Sequence, residues 1–182
     1  MTVRRAAILG TGSSLPAGVL TNAQLEKLGD TNDAWIGERT GGGERRVAAP
    51  GEPSSLFATE AAKRALEAAG ISAKDIDLVI VATTTPDSIL PATANLVIKN
   101  LGAERAAGFD VLAACSGFVY AAVIAEQFIA TGAAKNALVI GVELLTKFTD
   151  YTDRTTCILF GDGAGAAILG AREDGSGILA SA

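Results

Sequence analysis

Histidine is absent from all 182 residues. That removes the commonest general base and the commonest metal ligand, so any nucleophilic chemistry must obtain its proton transfer from other groups or from another polypeptide. Cysteine is nearly absent too, with only Cys115 and Cys157, and their surroundings match neither a disulfide scaffold nor a CxxC metal pair. Aromatic residues make up 5% of the chain and include one tryptophan, Trp35, so the elements must pack closely with small side chains between them. No segment approaches the roughly 18 uninterrupted apolar residues of a membrane span. The apolar run after the two N-terminal arginines is about four residues long, too short for the core of a signal peptide, and a cytoplasmic protein is expected. Runs of like charge are also missing. The 20 acidic and 15 basic residues are spread along the chain, giving a net charge of −5. That balance points to neither nucleic acid nor an anionic membrane as a partner.

What is abundant is alanine, glycine and short apolar runs. A hydrophobic fraction of 49% and 21 glycines suit a compact α/β protein with many tight turns, in one or two domains on length alone. The stretch from Ala106 to Gly132 organises the rest. A strand-like run, Phe109 to Ala113, feeds through Ala114, Cys115, Ser116 and Gly117 into an apolar run that meets its first charge at Glu126. Such a run predicts a helix buried on nearly all sides. Cys115 then sits where a strand ends and a helix begins, beside peptide N–H groups that lack intrahelical partners and carry partial positive charge. The small neighbours Ala113, Ala114, Ser116 and Gly117 leave room for a substrate carbonyl, as in a nucleophile elbow with Cys in place of Ser. The same window also suits a structural cysteine acting as a small buried hydrophobe.

Taken in order, Ala6 to Leu9 reads as a first strand ending in a glycine-bearing turn. Thr21-Asn22-Ala23-Gln24 matches a capping box before a short helix. Trp35 and Arg39, four residues apart, share a helix face. An aromatic plane beside a guanidinium makes a seat for an adenine ring and its phosphates; the same pair also suits a satellite core Trp next to a solvated Arg. Pro53-Ser54-Ser55 opens a helix to Ala69 closed by Gly70. The run from Ile76 reads as a central strand covered on both faces. Pro86 and Pro91 frame a loop that exposes Ile89 and Leu90 to some other surface, before a helix over 93–101. ALVIG after Gly132 is a further strand, and 143–153 a polar connection. TDRTTCILFGDGAGAAILG reads as a hairpin, with Cys157 in an apolar strand. FGDGAG has the glycine density of a phosphate loop but lacks the Lys-Ser/Thr ending and a following helix. GSGILASA reads as the start of one more strand.

Five of these stretches together resemble the N-terminal half of the 3-oxoacyl-(acyl-carrier-protein) synthase III family: DAWIGERTG at 33–41, ERR at 44–46, DIDLVIVATTTPD at 75–87, AACSGFVYA at 113–121 and TDRTTCILFGDGAGAAIL at 152–169. They occur in the family's order and spacing over essentially the whole chain, 1–182. The resemblance implies a thiolase-like α/β fold, in which two similar βαβαβαββ halves stack into five layers and dimerise. This chain would supply one half, with a mixed sheet and a buried helix after Cys115, and the C-terminal half would be absent. The resemblance makes Cys115 the residue that accepts an acyl group from acyl-CoA, before decarboxylative condensation with malonyl-(acyl-carrier protein). It assigns Trp35, Arg39, Thr40 and Arg154 to the adenine and phosphates of coenzyme A, and Leu90, Leu145 and Phe160 to the acyl pocket, Leu90 reaching in from the neighbouring subunit. Coenzyme A would enter as a thioester substrate, with no separate cofactor and no metal. The implied partners are acyl-CoA, acyl carrier protein and either a second copy of the chain or the missing half.

Three departures matter. The family commonly has a larger aromatic at the Leu90 position, which implies a primer pocket of different size. TGIRERR appears here as TGGGERR, so Gly42 and Gly43 are expected to loosen the loop beside the coenzyme A site. Family members are about twice as long, and the His and Asn that stabilise the carbanion and the thioester carbonyl lie in the half not represented here, as does a second oxyanion donor. The isolated chain is therefore expected to be inactive in condensation. A self-associating non-catalytic half-domain and an acyltransferase working from acyl-Cys115 are the alternatives.

Overall fold

The computed structural model describes residues 4–181. The chain divides into two compact units that alternate along the sequence. One comprises the segment up to Ser14, Pro53–Val142 and the segment from Ala164 onward, and the other comprises Leu15–Glu52 and Glu143–Gly163.

The larger unit contains strand β1 (Arg5–Ser14), helix α3 (Ser54–Ala69), β4 (Leu78–Ala82), α4 (Thr93–Leu101), β5 (Ala107–Val111), α5 (Gly117–Ala130), and all but the last two residues of β6 (Asn136–Leu144) and the first two of β7 (Asp162–Arg172). This is the expected βαβαβαββ order. The five strands form one mixed sheet in the order β1-β7-β6-β4-β5. β4 is parallel to both β5 and β6, whereas β1 and β7 are antiparallel. All five residues of β4 are buried, as a central strand covered on both faces requires. Leu78, Ile80 and Ala82 share a core cluster with Ala121, Ala125 and Ile129 of α5. Val79 points to the other face with its register partner Gly108, where a Cβ would strike Ile98 and Ala94 of α4.

The first strand does not end in a turn at Gly10. It bulges between Ile8 and Gly10 and continues to Ser14, because Gly10 and Gly12 are where α3 lies directly on the strand. A Cβ at Gly10 would come within 2.4 Å of the Ala69 nitrogen, and one at Gly12 within 2.3 Å of the Ala61 oxygen. The glycines serve close helix approach rather than chain reversal.

Helix α5 is not buried on nearly all sides. Its buried residues form a single stripe, Gly117, Ala121, Ala125 and Ile129, while Phe118, Val119 and Tyr120 are exposed. Its apolar composition exceeds what this sheet covers. The hairpin and the final strand are also absent among the described residues. Residues 151–159 form consecutive turns, the next strand begins only at Asp162, and the segment after Arg172 has no strand pairing. There, Ile178 N–H donates a single bond to the Ala6 carbonyl.

The smaller unit holds a two-stranded antiparallel ribbon, β2 (Gly18–Thr21) with β3 (Glu44–Val47), and the short helices α1 (Asn22–Leu25) and α2 (Asp33–Thr40). The capping box at Thr21 and Gln24 is present on both sides. Leu25, Ile36, Cys157 and Ile158 form its core, with Leu20, Trp35 and Tyr151 packed against them. Cys157 is thus a core residue, as expected, but in a turn rather than a strand. Burial is the main cause that pushes its thiol pKa upward, which keeps it protonated. Among the described residues no helix is long and apolar enough to cross a membrane.

Candidate active site

Cys115 follows directly from the sheet. β5 ends at Val111, Leu112 and Ala113 leave the strand, a single 3-10 turn spans Ala114–Ser116, and α5 starts at Gly117. Ala114 has φ = 47°, the one left-handed non-glycine residue described. A side chain in that region is strained, and such strain concentrates at sharp strand-to-helix elbows. Cys115 is exposed. No side chain caps the start of α5; the 3-10 turn takes Ser116 N–H to the Ala113 carbonyl and Gly117 N–H to the Ala114 carbonyl. Glycine sets how deep this elbow sits. A Cβ at Gly117 would lie 3.2 Å from the Ala82 Cβ, and one at Gly141 would lie 3.3 Å from the Phe118 ring. Leu90 lies in the same unit, on the proline-framed loop, where it is 83% exposed and Ile89 is 90% exposed.

In the smaller unit the structure brings three of the four expected coenzyme A residues together. The guanidinium carbon of Arg39 lies 4.3 Å from the centroid of the Trp35 ring, and that of Arg154 lies 4.6 Å from it. One indole thus carries two cations, within the range of cation–π attraction. Arg154 is also held by Asp30 at 2.9 Å, and Arg39 approaches Glu38 at 3.8 Å. Both pairs are solvent-exposed and add little stability. Thr40 does something else in this structure. Its hydroxyl donates to the Ile36 carbonyl and accepts from Gly42 N–H, closing the end of α2.

The glycines after α2 do not leave a loose loop. Gly41 takes the left-handed C-cap position at φ = 68°. Gly42 N–H is held by Thr40, the Gly42 carbonyl accepts from the Asn22 side chain, and the Gly43 carbonyl accepts from Asn22 N–H.

Leu145 and Phe160 line one cleft of about 270 Å³, together with Phe148, Thr149, Asp150 and Thr156. Thr149 donates its hydroxyl hydrogen to the Leu145 carbonyl, fixing one wall. The turns that form the other wall are held by two carboxylates. Asp150 accepts from the hydroxyl and N–H of Thr152, and Asp153 accepts from the hydroxyl and N–H of Thr155 and from the Thr156 hydroxyl. These bonds, the Thr152 hydroxyl first for Asp150 and the Thr155 hydroxyl first for Asp153, hold both carboxyl groups below the usual carboxylate range. A depressed folded-state pKa means the stabilisation is fully present above the unfolded value, about 3.9, and is lost as pH falls through the lower folded value. Followed by NMR, the Thr152 and Thr155 amide signals should hold their folded positions at pH 5 and shift only below about pH 4. Movement of these signals between pH 7 and 5 would contradict that.

Sequence reasoning missed three residues that shape this unit: Asn22, Arg45 and Asp162. Asp162, from the FGDGAG stretch, accepts from Ala48 N–H, Thr146 N–H and the Thr146 hydroxyl at 2.6–2.9 Å. It ties three segments together instead of opening a phosphate loop. Nothing in its local sequence signals this, since its partners lie 114 and 16 residues away.

A mixed five-stranded sheet with helices on both faces, and a cysteine at an elbow before a helix, defines a thiolase-like protein. The model of the 3-oxoacyl-[acyl-carrier-protein] synthase III family matches residues 109–182. A beta-ketoacyl-[acyl-carrier-protein] synthase III of Caldanaerobacter subterraneus is 56% identical over 176 residues, 97% of this chain and 53% of the relative. The crystal structure of 3-oxoacyl-[acyl-carrier-protein] synthase III from Aquifex aeolicus superposes with a TM-score of 0.93 at 52% identity, covering 96% of this chain and 56% of that one. The priming beta-ketosynthase of the R1128 polyketide pathway gives a TM-score of 0.90 at 38% identity, covering 95% of this chain and 52% of that one. By sequence and by fold the chain is similar to the 3-oxoacyl-[acyl-carrier-protein] synthase III family, and it spans about half the length of the curated relatives it matches.

Proposed function

We propose that this chain carries the acyl-accepting part of an initiating condensing-enzyme site, in fatty acid or related polyketide synthesis in the cytoplasm. In this reading the Cys115 thiolate attacks the thioester carbonyl of an acyl-CoA. The tetrahedral oxyanion is held by N–H groups at the start of α5, and coenzyme A leaves as its thiolate. Trp35, Arg39 and Arg154 hold the adenine and phosphates, with Thr40 at the edge of that seat. Leu145 and Phe160 line the acyl cleft, to which Leu90 of a second copy contributes. Malonyl-(acyl-carrier protein) then loses CO2. The electron pair of the broken C–C bond attacks the acyl-Cys115 carbonyl, and the sulfur departs as the 3-oxoacyl product forms. With no histidine in the chain, that second half of the reaction needs a His and an Asn from a complementary segment.

The observation that carries the reading is the exposed Cys115 beside the strained Ala114 and the uncapped start of α5. Intact mass tests it. After incubation with an acyl-CoA, the protein should gain one acyl group, mapping to the peptide that contains Cys115. Folded protein that gains no mass over a range of acyl-CoA primers overturns it.

One observation favours a second reading, in which the chain acts as a self-associating half-domain. The exposed Phe118, Val119 and Tyr120 lie on one apolar helix, the kind of patch that marks an interface. In size-exclusion chromatography wild type should elute as an oligomer, and a Phe118→Asp/Val119→Asp variant should shift to the monomer volume. A wild-type monomer at high concentration removes this reading.

A further inference from the structure

The Trp35 stack is assembled from two pieces of chain far apart in sequence. Trp35 and Arg39 stand on α2, and Arg154 stands in the turns of 151–159. Those turns have no strand pairing, and the backbone hydrogen bonds described within them are local. Beside the apolar core that Ile36 shares with Cys157 and Ile158, a buried polar relay ties them to α2. Arg45 is only 7% exposed. Its Nε and Nη2 donate to the Ile158 carbonyl at 2.9 and 2.6 Å, four residues past Arg154. Its Nη1 donates to the Asn22 side-chain oxygen. The amide nitrogen of Asn22, itself buried, donates to Asp33 Oδ1 at 2.7 Å and to the Gly42 carbonyl at 3.0 Å. Asn22 therefore grips both ends of α2, at its first residue and just past its C-cap, and Arg45 fastens that grip to the segment bearing Arg154.

The acceptors of Arg45 are both neutral, and none of the described ion pairs includes it. Burial is the main cause that lowers its pKa. A desolvated guanidinium without a carboxylate partner is costly where the only gain is packing. Its planar fork, which reaches the Ile158 carbonyl and Asn22 in different directions, is a geometry a lysine ammonium does not reproduce.

We infer that Asn22 and Arg45 are positioning residues that set the spacing of the two guanidinium groups around Trp35, and so the affinity of that stack for an adenine nucleotide bearing phosphates. The inference rests on the coenzyme A reading above for the ligand, but the geometry can be tested without it.

Trp35 is the sole tryptophan, so its fluorescence reports the stack directly. In the ligand-free protein, Arg45→Lys should shift the Trp35 emission and raise its quenching by acrylamide, with far-UV circular dichroism unchanged. Titrated with coenzyme A, the same variant should bind about tenfold more weakly than wild type. Because Arg45→Lys risks misfolding, the exposed Asp33 gives a second arm. Asp33→Ala removes an acceptor of Asn22 and should weaken binding about threefold, and Asp33→Asn, which keeps a side-chain oxygen there, should restore it. If coenzyme A fails to perturb Trp35 in wild type, the nucleotide reading falls while the ligand-free arm still decides the positioning role. If coenzyme A binds and both Arg45→Lys and Asp33→Ala leave emission and affinity unchanged, the positioning role is overturned.

Discussion

Cys115→Ser will leave the chain without a detectable acyl adduct under conditions where wild type is acylated, a loss of at least about a thousandfold in rate. An ordinary thiol is a few per cent thiolate near pH 7 and is intrinsically nucleophilic, whereas a serine hydroxyl needs an adjacent base to react at all. This chain has no histidine to serve as that base. The elbow geometry alone, with strained Ala114 and no side-chain cap on α5, offers no group to deprotonate an alcohol. Cys157 provides an internal control, because it is buried in the smaller unit's core with its thiol held protonated. Mass spectrometry of both proteins after the same acyl-CoA exposure decides the matter. An adduct that survives in Cys115→Ser, or that maps to another residue in wild type, removes Cys115 from the nucleophile's role.

Gly12→Ala will destabilise the larger unit by about 3 kcal/mol, lowering its melting temperature on the order of 10 °C. The added Cβ would fall 2.3 Å from the Ala61 oxygen, 2.5 Å from the Ala65 nitrogen and 2.7 Å from the Arg64 Cβ. Two of these atoms belong to the backbone of α3, so no rotamer change relieves them, and the helix must move off the strand. Gly165→Ala on β7 is the matched control, since a Cβ there meets nothing within 4 Å. It should melt within about 2 °C of wild type. Equal melting of the two variants would show that α3 does not depend on glycine for its approach to β1.

Much of the fold was legible because local signals there coincide with tertiary demand. Ser54–Ala69 has its small residues on one side and Gly70 at its left-handed end. Leu78–Ala82 is apolar throughout because both faces of the sheet are covered. The apolar residues framed by Pro86 and Pro91 are exposed, as that framing suggested. The sequence misled where burial comes from outside the element. In α5 the apolar residues run all the way round, yet this chain covers only the stripe from Gly117 to Ile129, since composition records that a face is apolar but not what lies against it. The turns of 151–159 resemble a strand by composition. Asp150 and Asp153, bonded to the threonines that follow them, curl the segment instead.

The candidate site divides in the same way. Cys115 at a strand-to-helix junction, and Trp35 with Arg39 on one helix face, were determined by the sequence, because elements of a few residues place both pairs of features. That Arg154 joins the same indole, that Leu145 and Phe160 share one cleft, and that Asn22, Arg45 and Asp162 bind the smaller unit together were decided only by the tertiary structure. The physical reason is the range of the forces involved. Capping, periodicity and glycine conformation act within a turn or two of the chain, whereas a buried guanidinium or carboxylate selects partners by geometry in space, up to 114 residues away along the sequence.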